Sequence, residues 1–315
     1  MSGLANCNGQ VRLLATASDV VTCRGPSRVR GGRWSPQCPK RRQRLTTKVQ
    51  ATARATAASF ATEYEGPRKV AVIGGGPAGL TAAIALRKLC PNIESVKVFE
   101  QYESLPPELG AAFNINGGAS ILAKLGLADD VLAIGNPMER VYSRTTEGSV
   151  LFDFKPPELL ATDEELRKAL KVKDRHLFLT VMRGQLNEVL LKNLPEGVVT
   201  YGKQLESLEE SSRTVKCGFV DGSSESFDLV IGCDGIGSAT RRLGQFEGDN
   251  ELKRKPQYAG IRIAFGVCTE PKRPPSVENE AHQWFGDGAY VLNYTGGQGN
   301  SRRDIVAVCY HDTKR

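Results

Sequence analysis

The chain has 315 residues, enough for one large domain or two, and its 40% hydrophobic and 24% charged content is that of an ordinary globular protein. No apolar run reaches the roughly 20 residues of a membrane-spanning helix. The net charge of +7 would point to nucleic acid if it were spread over the fold, but residues 1–62 hold eleven Lys/Arg against the single acid Asp19, and the remainder holds thirty-one Lys/Arg against thirty-four acids. The basic character belongs to the leader. The rest lacks the cationic footprint that a phosphate backbone requires, which excludes nucleic-acid binding as a reading.

Residues 1–62 read as a targeting leader: rich in Arg, Ser, Ala and Thr, nearly free of acids, and without the apolar core of a secretory signal. The stretch Lys48-Val49-Gln50-Ala51, followed by an Ala/Thr run, resembles the end of a chloroplast transit peptide. Mitochondrial import and a plain basic tail are the alternatives. Folded structure is expected from Gly66-Pro67. A β run over 68–73, a glycine-rich turn over 74–79, a helix over 77–89 stopped by Pro91, and a strand over 96–100 make a βαβ unit. The spacing then predicts a helix over 119–134 and a hairpin over 140–154 around Glu147-Gly148. A polar helical excursion or loop follows over 156–175, then a helix over 183–194. Strands over 213–221 and 225–231 should flank Asp221-Gly222, and further strands over 260–268, 289–294 and 303–310 complete the pattern. Five cysteines beyond the leader (Cys90, Cys217, Cys233, Cys268, Cys309) form no C-x-x-C pair, and His176, His282 and His311 lack metal-ligand spacing, so no metal site is expected.

Gly74-Gly75-Gly76-Pro77-Ala78-Gly79 fits G-x-G-x-x-G between a strand and a helix. Gly74 permits the tight turn, Gly76 lets a pyrophosphate approach the backbone, and Gly79 lets the helix pack closely on the sheet. Pro77 and Ala78 open a helix whose N-terminal N–H groups face the phosphates. Glu100 ends the second strand, where a carboxylate accepts from both ribose hydroxyls of an adenosine. Alone, the motif does not separate FAD from NAD.

Three further segments separate them. Phe227 to Arg242, centred on Asp234-Gly235, resembles the "DG" fingerprint of the single-component FAD-dependent hydroxylases, the family of para-hydroxybenzoate and salicylate hydroxylases and zeaxanthin epoxidases. Val181-Met182-Arg183-Gly184-Gln185-Leu186 resembles that family's helix start, whose arginine contacts FAD. Gly110 to Ile115 resembles the loop beside the flavin, with Ala111 and Ala112 as backbone contacts. The resemblance implies an α/β fold, a Rossmann-like FAD-binding domain (66–139 and 176–245) with an interleaved β-sheet substrate domain (140–175 and 246–315). It implies FAD as cofactor, with Arg183 and Asp234 among its contacts and Arg241 matching the fingerprint's arginine. It also implies NAD(P)H and O2 as co-substrates, and hydroxylation or epoxidation of a small aromatic or isoprenoid molecule. No catalytic base is nominated, and Trp284, His282, Tyr290 and Tyr294 of the substrate sheet read as packing residues.

The family's later Gly-Asp-Ala segment has no match before Arg315, since Gly286-Asp287-Gly288 comes too early, so the sequence reads as C-terminally truncated. A flavin-dependent reductase of the same fold group and a non-catalytic FAD-binding protein stand as alternatives.

Overall fold

The computed structural model describes residues 66–105, 112–172, 175–176, 178–244, 256–268, 277 and 279–311. Within them, β1 (Lys69–Ile73), α1 (Pro77–Leu89) and β2 (Ser95–Phe99) form the expected βαβ unit. β1 reads Lys-Val-Ala-Val-Ile with its last four residues buried, because it lies inside a parallel sheet ordered 199–200, β2, β1, 229–232. A strand covered on both faces needs a continuous apolar run rather than alternation. Pro77 starts α1, where a missing N–H has no partner to lose. On one side of the sheet, Leu80 and Ile84 of α1 share a core with Ile115, Leu122, Leu186 and Leu190. On the other, Ala71, Ile73 and Phe99 pack on Leu205, Cys217, Phe219 and Phe227 of a small antiparallel sheet.

A second, six-stranded sheet is ordered 261–268, 303–311, 289–296, 280–285, 140–145, 150–154. Its strands pair antiparallel except at one junction, where Glu280–Phe285 runs parallel to Arg140–Thr145. A short sheet of residues 112–114, 179–182 and 136–137 lies between it and the helices.

Three local expectations change, and one left open between helix and loop resolves as helix. The helix expected over 119–134 is two helices, Asn116–Lys124 and Ala128–Ile134. Gly126 adopts φ 79°, and the Leu127 and Gly126 N–H groups return to the carbonyls of Leu122 and Ala123 at 2.9 Å each. This is a Schellman end, which only a residue tolerant of the left-handed region closes readily. The strand expected over 225–231 is divided between two sheets as Ser224–Phe227 and Leu229–Gly232. Asp228 makes the break: its Oδ2 accepts from the N–H groups of Arg68 and Lys69, both at 2.8 Å. The polar stretch 156–175 contains two helices, Pro156–Thr162 and Glu164–Leu170. Glu280–Phe285 is a strand that the pattern did not reveal, because His282, Gln283 and Trp284 break the apolar alternation.

Candidate functional site

The carboxyl ends of β1, β2 and the strand 229–232 meet at the glycine turn. Gly74 has φ 106° and donates its N–H to the Phe99 carbonyl at 2.8 Å. A Cβ there would lie 2.4 Å from the Cys233 carbonyl oxygen, and one on Gly79 would lie 1.9 Å from the Gly74 oxygen. Both glycines are therefore demanded by the protein's own backbone. Gly76 differs. Its φ is an ordinary −73°, and a Cβ on it would meet only Arg183 Nη2, at 3.8 Å. The protein leaves space open there, at the N-terminus of a thirteen-residue helix. The first N–H groups of that helix have no intrahelical acceptor.

Two side chains flank the space. Glu100 is 6% exposed, its Oε2 accepting from the Gly75 N–H at 2.7 Å and its Oε1 from the Tyr102 N–H at 3.0 Å. A carboxylate has about four acceptor sites, so capacity remains for two hydroxyls. Arg183 begins the helix Arg183–Lys192 and is exposed. Its guanidinium makes no hydrogen bond or ion pair with any described residue. An uncommitted guanidinium fork, an open backbone cradle and a helix N-terminus together fit a diphosphate, and the buried carboxylate beside them fits a ribose.

Asp234 lies close by, its Cα 3.0 Å from the position of a Cβ on Gly74. Its carboxylate is engaged within its own turn, accepting from Ser238 Oγ at 2.6 Å, Thr240 N at 2.9 Å and Thr240 Oγ1 at 3.1 Å. Ser238 in turn caps the helix Ala239–Leu243 by accepting from the Arg241 N–H at 2.9 Å. The Arg241 guanidinium donates to the Ile236 carbonyl. Asp234 thus shapes the strand end on which the glycine turn rests.

Ala112 is buried, its carbonyl accepting from the Tyr294 hydroxyl. A Cβ on Gly296 would fall 2.1 Å from the Ala112 Cβ, so strand 112–114 is seated directly on the six-stranded sheet. Gly110 and Ala111 lie outside the described residues. Sequence reasoning treated Tyr294 as packing and missed this tie, which spans 182 residues and leaves no local signal. His282 is committed to structure: Arg144 Nη2 stands 2.6 Å from its Nδ1 and Glu280 Oε2 2.9 Å from its Nε2. An arginine can only donate, so Nδ1 accepts and Nε2 carries the proton toward Glu280. Among the described residues no group of His, Cys, Asp or Glu could hold a metal. Burial pushes the Cys217 thiol up to about 12 and raises that of Cys233.

A glycine-turn βαβ unit with a flanking cation, beside a separate six-stranded sheet, is the arrangement of a nucleotide-cofactor protein. Residues 68–264 match the family model described as "FAD binding domain", and the chain belongs to that family. It is 30% identical over 232 residues to the 6-hydroxynicotinate 3-monooxygenase of Pseudomonas fluorescens, covering 72% of this chain and 54% of that one. It is 30% identical over 246 residues to a salicylate hydroxylase of Sarocladium schorii, covering 73% and 48%. The chain thus spans about half the length of the curated relatives it matches. The crystal structure of Klebsiella pneumoniae HpxO complexed with FAD and uric acid is similar at a TM-score of 0.61 and 25% identity, covering 78% of this chain and 57% of that one. The cofactor of the family is FAD.

Proposed function

We propose that this chain belongs to an FAD-dependent monooxygenase that uses NAD(P)H and O2 to hydroxylate or epoxidise a small aromatic or isoprenoid molecule, and that residues 1–62 direct it to the chloroplast. The observation that carries the cofactor site is the uncommitted Arg183 guanidinium beside the open space at Gly76. Arg183 and the N–H groups of Ala78 and Gly79 in the first helix turn would hold the diphosphate, Gly76 would let it approach while Gly74 makes the tight turn, and Glu100 would accept from the adenosine ribose. Asp234 fixes the turn against which the glycine loop is built. The family resemblance would put the backbone of the 110–112 segment beside the flavin, and of that segment Ala112 is described, seated on the six-stranded sheet through Tyr294. FAD, when bound, supplies hydride acceptance and dioxygen activation. The proteins named for 6-hydroxynicotinate and salicylate act on aromatic rings, which supports an aromatic substrate here.

The test is threefold. The purified chain is titrated with FAD, then assayed for NAD(P)H oxidation with oxygen uptake, and products are examined for oxygen from labelled dioxygen. Turnover without label transfer would favour a flavin-dependent reductase, and a chain that does not retain FAD would favour a non-catalytic role. Residues 1–62 fused to a fluorescent protein should enter plastids. Accumulation in mitochondria or cytosol would overturn the targeting assignment.

A further inference from the structure

The six-stranded sheet separates its charges by face. The register puts Arg140, Arg144, Asp153, Glu280, Arg262 and Asp304 on one side. The opposite side carries Ser143, Phe152 and Phe154, then Gln283 and Phe285, then Tyr290, Leu292 and Tyr294, then Ile305, Ala307 and Cys309. The apolar side chains Ile263, Phe265 and Val267 of the edge strand extend it. This second face is the one that packs toward the cofactor domain. Tyr294 and Ile305 form a core with Ala112 and Met182, and Phe154 meets Phe178 edge to face at 6.1 Å. The strands opposite it, 112–114 and 179–182, are uncharged as well. Among the described residues the ionisable side chains of basic type on this face are Arg303 and His311, at opposite ends of strand 303–311, and Arg303 Nη1 donates to the carbonyls of Asn300 and Arg302.

The polar equipment of the face is small and oriented. Ser143, which is buried, donates through Oγ to Gln283 Oε1 at 2.6 Å. That bond fixes the amide, so Gln283 keeps its two N–H donors for another partner. Beside it, Phe285 stacks on Tyr290 with ring centroids 5.0 Å apart, and Phe152 stacks on Phe154 at 5.8 Å. Flat aromatic walls with a single oriented amide suit a planar or polyene molecule carrying a neutral carbonyl or hydroxyl oxygen. They do not suit a carboxylate, because between the ends of strand 303–311 the described residues of this face offer an anion moved out of water no countercharge.

We infer that the substrate of this chain is uncharged: a neutral ring or polyene with one oxygen acceptor received by the Gln283 amide, in contrast to the ring carboxylates for which the 6-hydroxynicotinate and salicylate relatives are named. This rests on the monooxygenase reading above for its chemistry, but its test does not. The FAD-loaded chain is offered methyl 4-hydroxybenzoate and 4-hydroxybenzoate at neutral pH, with binding read by saturation-transfer NMR on the probes. The signal needs no flavin, and flavin retention is measured separately. The ester should bind at least tenfold more tightly than the carboxylate. Gln283→Arg should reverse that preference, and Gln283→Leu should weaken the ester alone. Equal binding, a preference for the carboxylate in the unaltered chain, or no binding of either probe overturns the inference. Loss of FAD with the ester preference intact would instead strike the cofactor assignment.

Discussion

Gly76→Ala separates a glycine kept for a ligand from glycines kept for the fold. The new Cβ would meet only Arg183 Nη2, at the ordinary contact distance of 3.8 Å, and φ −73° suits alanine. Replacing glycine at a compatible position restricts the unfolded chain and stabilises by about 0.4–1 kcal/mol. Alanine is a poorer helix N-cap than glycine by a similar roughly 0.5–1 kcal/mol. The two terms cancel, and the melting temperature of the FAD-free chain should stay within about 3 °C, given about 2–4 °C per kcal/mol for a domain of this size. FAD affinity should fall, because the methyl occupies the cradle and pushes the diphosphate off the backbone donors. One or two hydrogen bonds to a charged group, at about 1.5–3 kcal/mol each, translate to a roughly ten- to hundredfold rise in Kd or more. Gly79→Ala gives the opposite pattern. Its Cβ would sit 1.9 Å from the Gly74 oxygen, where real contacts stay beyond 3.0 Å, so α1 must move away from the turn. Forced overpacking of this kind costs about 1–3 kcal/mol or more, and melting should drop in the FAD-free chain. The assay is thermal melting of each variant with and without an FAD titration. A Gly76→Ala chain that binds FAD as tightly as the unaltered one refutes the argument that the open space receives the cofactor.

Three other outcomes are expected. Arg183→Ala should leave stability within about 0.5 kcal/mol, as for other exposed residues without partners, and weaken FAD at least tenfold in a manner that added salt diminishes; Arg183→Lys should restore part of it. Glu100→Ala leaves the buried Gly75 N–H without its acceptor, at about 1–3 kcal/mol, while the N–H of exposed Tyr102 can turn to water, so chemical denaturation should show a loss even without cofactor. The buried Cys217 thiol is held up to about 12 from its ordinary 9.0. The unfolded chain therefore gives up that proton first, and stability present below pH 9 is lost as pH rises toward 12. Cys217→Ala should flatten that part of the stability–pH curve, and an unchanged slope would show that other groups set it.

The cofactor half of the molecule was legible because its constraints are local. Gly74, Gly76 and Gly79 fall within six consecutive residues, and the strand, helix and strand around them keep clear periodicity. Arg183 was visible as a helix start, and its uncommitted guanidinium is what the structure adds. Asp234 was visible as part of a motif, but its three hydrogen bonds to Ser238 and Thr240 could not be read from residue types alone. The misread boundaries turn on single residues. Asp228 ends one strand by serving the N–H groups of Arg68 and Lys69, a partnership 160 residues away in sequence, and Gly126 was overlooked inside an apolar pattern that continues on either side of it. The strand 280–285 escaped because its polar side chains are answered by Arg144 and Ser143 from another segment.

The parallel pairing of Arg140–Thr145 with Glu280–Phe285 also sets an order of events. Ser143 and Gln283 stand 140 residues apart in the chain, so this junction of the large sheet closes a long loop. Pairings of such separation form late, after the local βαβ contacts have been made. During synthesis the hairpin of residues 140–154 waits with one edge open until strand 280–285 has left the ribosome, after both segments of the cofactor domain, 66–139 and 176–244. The nucleotide cradle can therefore be finished, and even filled, before the wall that will face it exists.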